Sequence, residues 1–193
     1  ISSKRPGYLC AAYDSNANRT VVAFQDVADT QDGFAVVCTV SGTSISAGSA
    51  TNFTSANTLY IAIAFDSTAN KVVISFNVSN ITSKAIVGTV SNTSISFGTA
   101  AQYASYGGSP SVTYDSTNNK TIIVYDDSDA NLKRIIGTVS GTSISYDTAI
   151  TLVSGNQGYV KADYDSTNDT VIATFTNIGN SGKGTSILVG SGT

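Results

Sequence analysis

The sequence predicts an all-β fold built as a four-bladed β-propeller, and two observations lead there. One is a repeat of about fifty residues present four times; the other is the lack of any stretch with the 3, 4, 7 apolar spacing of a helix. Thr39-Val-Ser-Gly-Thr-Ser-Ile-Ser46 recurs as Thr89-Val-Ser-Asn-Thr-Ser-Ile-Ser96 and as Thr138-Val-Ser-Gly-Thr-Ser-Ile-Ser145, at offsets of 50 and 49. An aromatic-Asp-Ser triplet marks the same beat independently at Tyr13, Phe65, Tyr114 and Tyr164. The composition agrees: 28 Ser, 25 Thr and 17 Gly favour strands and tight turns over helices.

Each copy parses into four runs with strand character, a to d in order. Run a leads into the aromatic-Asp pair, as in Tyr60-Ile-Ala-Ile-Ala-Phe65. Run b is Thr20–Phe24, Val72–Phe76, Thr121–Tyr125 and Val171–Phe175. It is apolar on consecutive residues, which predicts that both its faces are covered and that the sheets stack. Run c is Ala35–Val40, with Ala85–Val90 and Arg134–Val139 as its equivalents. Run d starts at the Thr-Ser-Ile-Ser element and continues to Phe53, Tyr103 and Leu152.

The turns are chemically legible. Gly42, Asn92 and Gly141 stand between c and d, where a tight hairpin requires positive φ. Asn18, Asn70, Asn119 and Asp169 share one position in the a–b loop and suit the left-handed conformation. The recurring Asp14, Asp66, Asp115 and Asp165 precede that turn and are read as backbone caps. Tyr13, Tyr114 and Tyr164 share a slot with Phe65, so an apolar ring is expected to suffice there.

Four-stranded antiparallel meanders of this length, covered on both faces, close around an axis as propeller blades. The chain is read as one repeat domain, residues 1–193, with blades at about 7–53, 54–103, 104–153 and 154–193. A linear stack of the same sheets is the alternative architecture. The last copy stops after run c, which leaves an edge at residues 185–190. Either residues 1–6 close the last blade, or adjacent sequence or another molecule supplies the strand. With no Met, the chain reads as a processed product or a piece of something longer, and its start has no signal-peptide pattern.

Several functions are set aside by composition. No His and no Glu are present, which removes His triads, imidazole metal sites and Glu general acids. Asp126, Asp127 and Asp129 remain as candidate acids without such a partner, and the three Arg (Arg5, Arg19, Arg134) do not cluster. No enzyme is expected. A net charge of −3 without a basic stripe argues against nucleic acid. The longest apolar run, Leu59–Phe65, is too short for a membrane helix, so no insertion is expected.

Asp127, Asp129 and Asn131 have the alternate-oxygen spacing of a calcium loop, but Leu132 stands where the sharp turn wants Gly. The expectation is a solvated loop and no cofactor, with weak calcium binding as the rival. Sequons occur at Asn18, Asn52, Asn77, Asn80, Asn92, Asn119 and Asn168, a modest excess over the roughly four that chance supplies, and they matter only on a eukaryotic secretory route. Cys10 and Cys38 fall on runs a and c of one blade, two strand spacings or ~9.6 Å apart, and are expected to be free.

The b–c and d–a connections lie on the rim opposite the uniform turns and vary between copies. Asp29, Asp32, Asn57, Asp127, Asp129 and Asn131 are among their residues. Tyr8, Tyr60, Tyr106, Asn156 and Tyr159 are the candidate ligand-binding residues, because aromatic and polar groups on a rigid scaffold suit glycan or protein recognition.

The segments Tyr114-Asp-Ser-Thr-Asn-Asn-Lys-Thr-Ile-Ile-Val-Tyr125 and Ile136-Gly-Thr-Val-Ser-Gly-Thr-Ser-Ile-Ser145 resemble propeller-type repeats common in virion and tail-associated proteins of aquatic phages. More distantly, they look like extracellular propellers with a Tyr-Asp-x-x-x-Asn turn. The resemblance implies surface display, adhesion or virion structure and carries over no catalytic residue. The function expected is a non-enzymatic recognition module, extracellular or on a virion surface, that binds glycan or protein through the variable rim. The competing expectation is a structural subunit of a fibre or shell, an oligomer that borrows a strand from its neighbour.

Overall fold

The computed structural model describes residues 4–28 and 30–190, which form four antiparallel sheets in chain order. The first holds β1 (Pro6–Asp14), β2 (Arg19–Asp26), β3 (Gly33–Ser41), β4 (Ser44–Ala47) and β5 (Thr51–Thr54). The second holds β6 (Thr58–Asp66), β7 (Lys71–Val78), β8 (Thr82–Ser91), β9 (Ser94–Phe97) and β10 (Ala101–Ala104). The third holds β11 (Gly108–Asp115), β12 (Lys120–Asp126), β13 (Leu132–Ser140), β14 (Ser143–Tyr146) and β15 (Ile150–Val153). The fourth holds β16 (Gln157–Asp165), β17 (Thr170–Asn177) and β18 (Lys183–Gly190), with one 3-10 turn at Ile178–Asn180. Among the described residues no helix is long and apolar enough to cross a membrane.

The turn chemistry acts as its residues dictate. Asn18, Asn70, Asn119 and Asp169 have φ of 54°, 54°, 57° and 48°, and Gly42, Asn92 and Gly141 have φ of 58°, 56° and 61°. Each Asp before the a–b turn accepts backbone N–H groups: Asp14 from Ala17, Asp66 from Thr68 and Ala69, Asp115 from Thr117 and Asn118, Asp165 from Thr167 and Asn168. One expectation is corrected here. The hydroxyls of Tyr13, Tyr114 and Tyr164 donate to the side chain of the left-handed residue five positions on, at 2.8, 3.3 and 2.8 Å, so three of the four slots use the phenol.

Run d is also corrected. It is two short strands, and both pair with run c. The break lies where Gly48, Gly98 and Asp147 donate their N–H to the carbonyls of Val37, Val87 and Ile136. The second half of d then carries Phe53 or Tyr103 across to the next sheet. Phe53 lies 5.1 Å from Phe76 and 5.8 Å from Phe97; Tyr103 lies 5.3 Å from Tyr125 and 5.8 Å from Tyr146. Leu152 packs in the same way against the cluster that holds Phe175.

Three apolar seams join neighbouring sheets. Alternate residues of run b serve opposite seams: Val72, Ile74 and Phe76 face the first sheet, and Val73 faces the third. This is why the run reads as continuously apolar. The fourth sheet departs from that pattern. Val171, Ala173 and Phe175 pack inward, while Ile172 is 38 % and Leu188 73 % exposed, so its outer face is open among the described residues. The inner strands pack in sequence, β1 along β6, β6 along β11 and β11 along β16, and no comparable packing joins β16 to β1 among the described residues.

Residues 1–3 and Asp29 lie outside the described residues. Lys4–Pro6 belong to the first sheet and not to the fourth. Pro6 pairs with Asp26, the Arg5 carbonyl accepts from Val27 N–H, and Lys4 pairs with Asp26 at 3.0 Å and covers the Phe34 ring. Cys10 and Cys38 are free thiols on β1 and β3 with β2 between them. Burial pushes the Cys10 thiol up to about 12.

Candidate functional site

Each inner strand carries a β-bulge at the same place. The register shifts between Gly7 and Cys10, Leu59 and Ala62, Gly108 and Ser111, and Gly158 and Lys161. The residue after the first of each pair is left-handed: Tyr8 at φ 48°, Tyr60 at 50°, Ser109 at 42° and Tyr159 at 54°. These four stand five positions before Tyr13, Phe65, Tyr114 and Tyr164, so they share one slot of the repeat. Glycine is the ordinary occupant of a left-handed bulge, and a non-glycine residue there costs on the order of 1–3 kcal/mol. Three tyrosines are thus held against a backbone preference.

The bulges converge. Tyr8, Leu9, Tyr60, Ile61, Ser109, Pro110, Tyr159, Val160 and Lys161 line a single cavity of about 250 Å³ at the rim end of the inner strands. Two residues from each of β1, β6 and β11, and three from β16, contribute. The Tyr8 and Tyr60 rings meet edge to face at 5.4 Å. Tyr159 stands 76 % exposed at the mouth.

A second cavity of about 270 Å³ adjoins the first and shares Tyr60, Ser109 and Tyr159 with it. Tyr106, Gly108, Asp126, Ala130, Asn156, Gln157, Gly158 and Ile178 complete its wall. Its frame is tied by backbone bonds between connections: Gln157 N–H donates to the Ala130 carbonyl, and Ile178 N–H to the Asn156 carbonyl. Gly108 leaves the space that the carboxyl uses. A Cβ there would fall 2.6 Å from Asp126 Oδ2 and 3.0 Å from the Tyr106 hydroxyl.

Two residues of this wall each keep an oxygen without a bond. Asp126 Oδ1 and Gln157 Oε1 are buried with no hydrogen-bond partner among the described residues, and Gln157 is only 3 % exposed. A buried acceptor left unpaired costs about 1–3 kcal/mol, so such pairs of loose ends are uncommon in a finished interior. Burial, and to a smaller degree the neighbouring Asp127, pushes the Asp126 carboxyl up to about 6. Burial raises the Tyr60 and Tyr106 hydroxyls, with Asp126 adding to both, so they remain protonated donors at neutral pH.

All five candidate ligand-binding residues come to these two cavities. Tyr8, Tyr60 and Tyr159 line the first, and Tyr60, Tyr106, Asn156 and Tyr159 line the second. Tyr60 sits inside a strand, as its place in run a implies, and Tyr8 and Tyr159 sit inside strands too and not in variable loops. Their common spacing before the aromatic-Asp pair was the available signal. Gln157 gave none, because its equivalents are Pro6, Thr58 and Gly107.

The calcium loop is occupied by protein. Asp127 Oδ1 accepts from the backbone N–H of Asp129 and Asn131, the Asn131 amide donates to both carboxyl oxygens, and Lys133 pairs with Oδ2 at 3.0 Å. Those hydrogen bonds and Lys133 hold the Asp127 carboxyl below its ordinary value against the opposing effect of burial. Among the described residues no group of three or more His, Cys, Asp or Glu is placed to hold a metal ion.

The sequons divide. Asn18, Asn52, Asn80, Asn92, Asn119 and Asn168 are exposed. Asn77 is fully buried and donates its amide to Ser83 Oγ, so the folded chain offers no access for a glycan there. Comparison with protein-family models finds no matching family, and comparison with curated proteins finds no match.

Proposed function

We propose that the chain is a non-enzymatic recognition module that binds glycan through the two joined cavities, displayed outside the cell or on a virion surface. In this reading the four sheets are blades of a propeller and the bulged rim is its ligand face. The observation that carries it is the convergence of four bulged inner strands, three of them presenting Tyr, on one cavity. A linear stack separates its first and fourth sheets by three spacings of ~10 Å, too far for β1 and β16 to wall one small cavity. Aromatic rings flanked by buried acceptors suit a sugar, whose C–H face stacks and whose hydroxyls donate. Strain retained at Tyr60 and Tyr159 also fits a site where stability is yielded to ligand contact.

Tyr60→Gly and Tyr159→Gly separate the two roles. Each removes a ring and relieves a left-handed backbone, so the melting temperature is expected to hold or rise while oligosaccharide affinity falls by about tenfold or more. Titration of both variants with a panel of neutral and amino oligosaccharides checks this. Unchanged affinity in both, or no binding of any oligosaccharide by the unaltered protein, overturns the proposal.

A further inference from the structure

Resting on that glycan reading, we infer that the second cavity selects an amino sugar, seating its free ammonium group between Asp126, Gln157 and the rings of Tyr60, Tyr106 and Tyr159. Two residues of its wall, Asp126 and Gln157, each carry a buried acceptor oxygen without a partner, one of them on a carboxyl group, and no Lys or Arg lines it. An ammonium group carries three donors and no acceptor, so it suits a wall whose unpaired buried atoms are acceptors. A neutral hydroxyl donates once and brings lone pairs that need donors in turn.

The electrostatics run the same way. Tyrosine faces attract a cation, and the attraction grows as water is excluded. Asp126 is adjacent to Asp127, whose charge already has a partner in Lys133 at 3.0 Å, so Asp126 is the carboxyl left to be matched. Tyr60, Tyr106 and Tyr159 are the other titratable groups lining this cavity, and burial raises the Tyr60 and Tyr106 hydroxyls, so both are neutral phenols near pH 7. A net charge of −3 favours approach of a cationic chain over an anionic one. The shared wall of Tyr60, Ser109 and Tyr159 lets a sugar in the second cavity continue into a neighbour in the first. That continuity favours an oligosaccharide over a lone lysine side chain.

Calorimetric titration of the whole protein with four tetramers tests the inference: glucosamine, N-acetylglucosamine, glucose in β-1,4 linkage, and lysine. The glucosamine tetramer is expected to bind about tenfold or more tighter than the other two sugars. Asp126→Asn, with folding checked by thermal melting, is expected to erase that preference; the acetylation comparison needs no variant and decides the matter even if this one fails to fold. Equal affinity for all three sugars overturns the amino-sugar selection and leaves the glycan reading standing. Tetralysine binding as tightly as the glucosamine tetramer overturns the assignment to a sugar, and no binding by any sugar overturns both readings.

Discussion

Phe53→Ala is expected to destabilise the protein by about 3–4 kcal/mol, the usual cost of deleting a buried aromatic ring. The ring belongs to the first sheet but does its packing in the second, against Phe76 and Phe97 at 5.1 and 5.8 Å. Phe53 is 7 % exposed and Phe76 fully buried, so the cavity left behind is closed to water and lined by groups that cannot easily collapse inward. Urea unfolding followed by fluorescence checks this through the midpoint. A shift below about 1 kcal/mol would show that the seam is held by the Val and Ile ladder alone.

Gly98→Ala is expected to cost about 2–3 kcal/mol although it adds a single methyl group. A Cβ at Gly98 would stand 1.9 Å from the Thr142 carbonyl oxygen, and at Gly48 it would stand 2.0 Å from the Thr93 carbonyl oxygen. In each case the obstacle is backbone of the next sheet's c–d turn, which has no rotamer to change. The clash is therefore relieved only by parting two sheets along a packed seam. Asp147 occupies the same place in the third sheet and is exposed, so Asp147→Ala serves as the control and is expected to stay within about 0.5 kcal/mol. Thermal melts of both variants read the contrast. Equal melting temperatures would mean that the sheets slide freely at these turns.

Much of the architecture was legible because a few residue types have narrow backbone preferences. Asn or Asp at 18, 70, 119 and 169, and Gly or Asn at 42, 92 and 141, mark left-handed turns, and the spacing between them sets the sheet count. The bulges were not legible in that way, because nothing about a tyrosine signals positive φ; Tyr8, Tyr60 and Tyr159 read as rim aromatics until their shared offset is noticed. The break in run d was hidden for a related reason. Gly48 and Gly98 look like ordinary flexible positions, and only the approach of Thr93 and Thr142 explains them.

Local sequence also cannot say what lies across a sheet face. Val171-Ile172-Ala173 is as apolar as Val72-Val73-Ile74, yet Ile172 is partly open to solvent and Val73 is buried. Asn77 was a fair sequon by pattern and is unusable by burial. In the site, the five aromatic and amide candidates were found by composition on one rim, whereas bringing Asp126 and Gln157 into one wall depends on two sheets meeting. Asp126 had been singled out only as a candidate acid.

The reading depends on four inner strands surrounding one cavity, and a spin label tests that geometry directly. A nitroxide attached at Tyr159→Cys, in a background in which Cys10 and Cys38 are replaced by Ser, stands on β16 at the cavity that Tyr8 and Leu9 of β1 also line. Paramagnetic broadening of backbone amides is expected at Tyr8, Leu9, Tyr60 and Ser109 together, across all four sheets. Broadening that fades from the fourth sheet through the third to the second and spares Tyr8 and Leu9, as sheets ~30 Å apart would give, contradicts it.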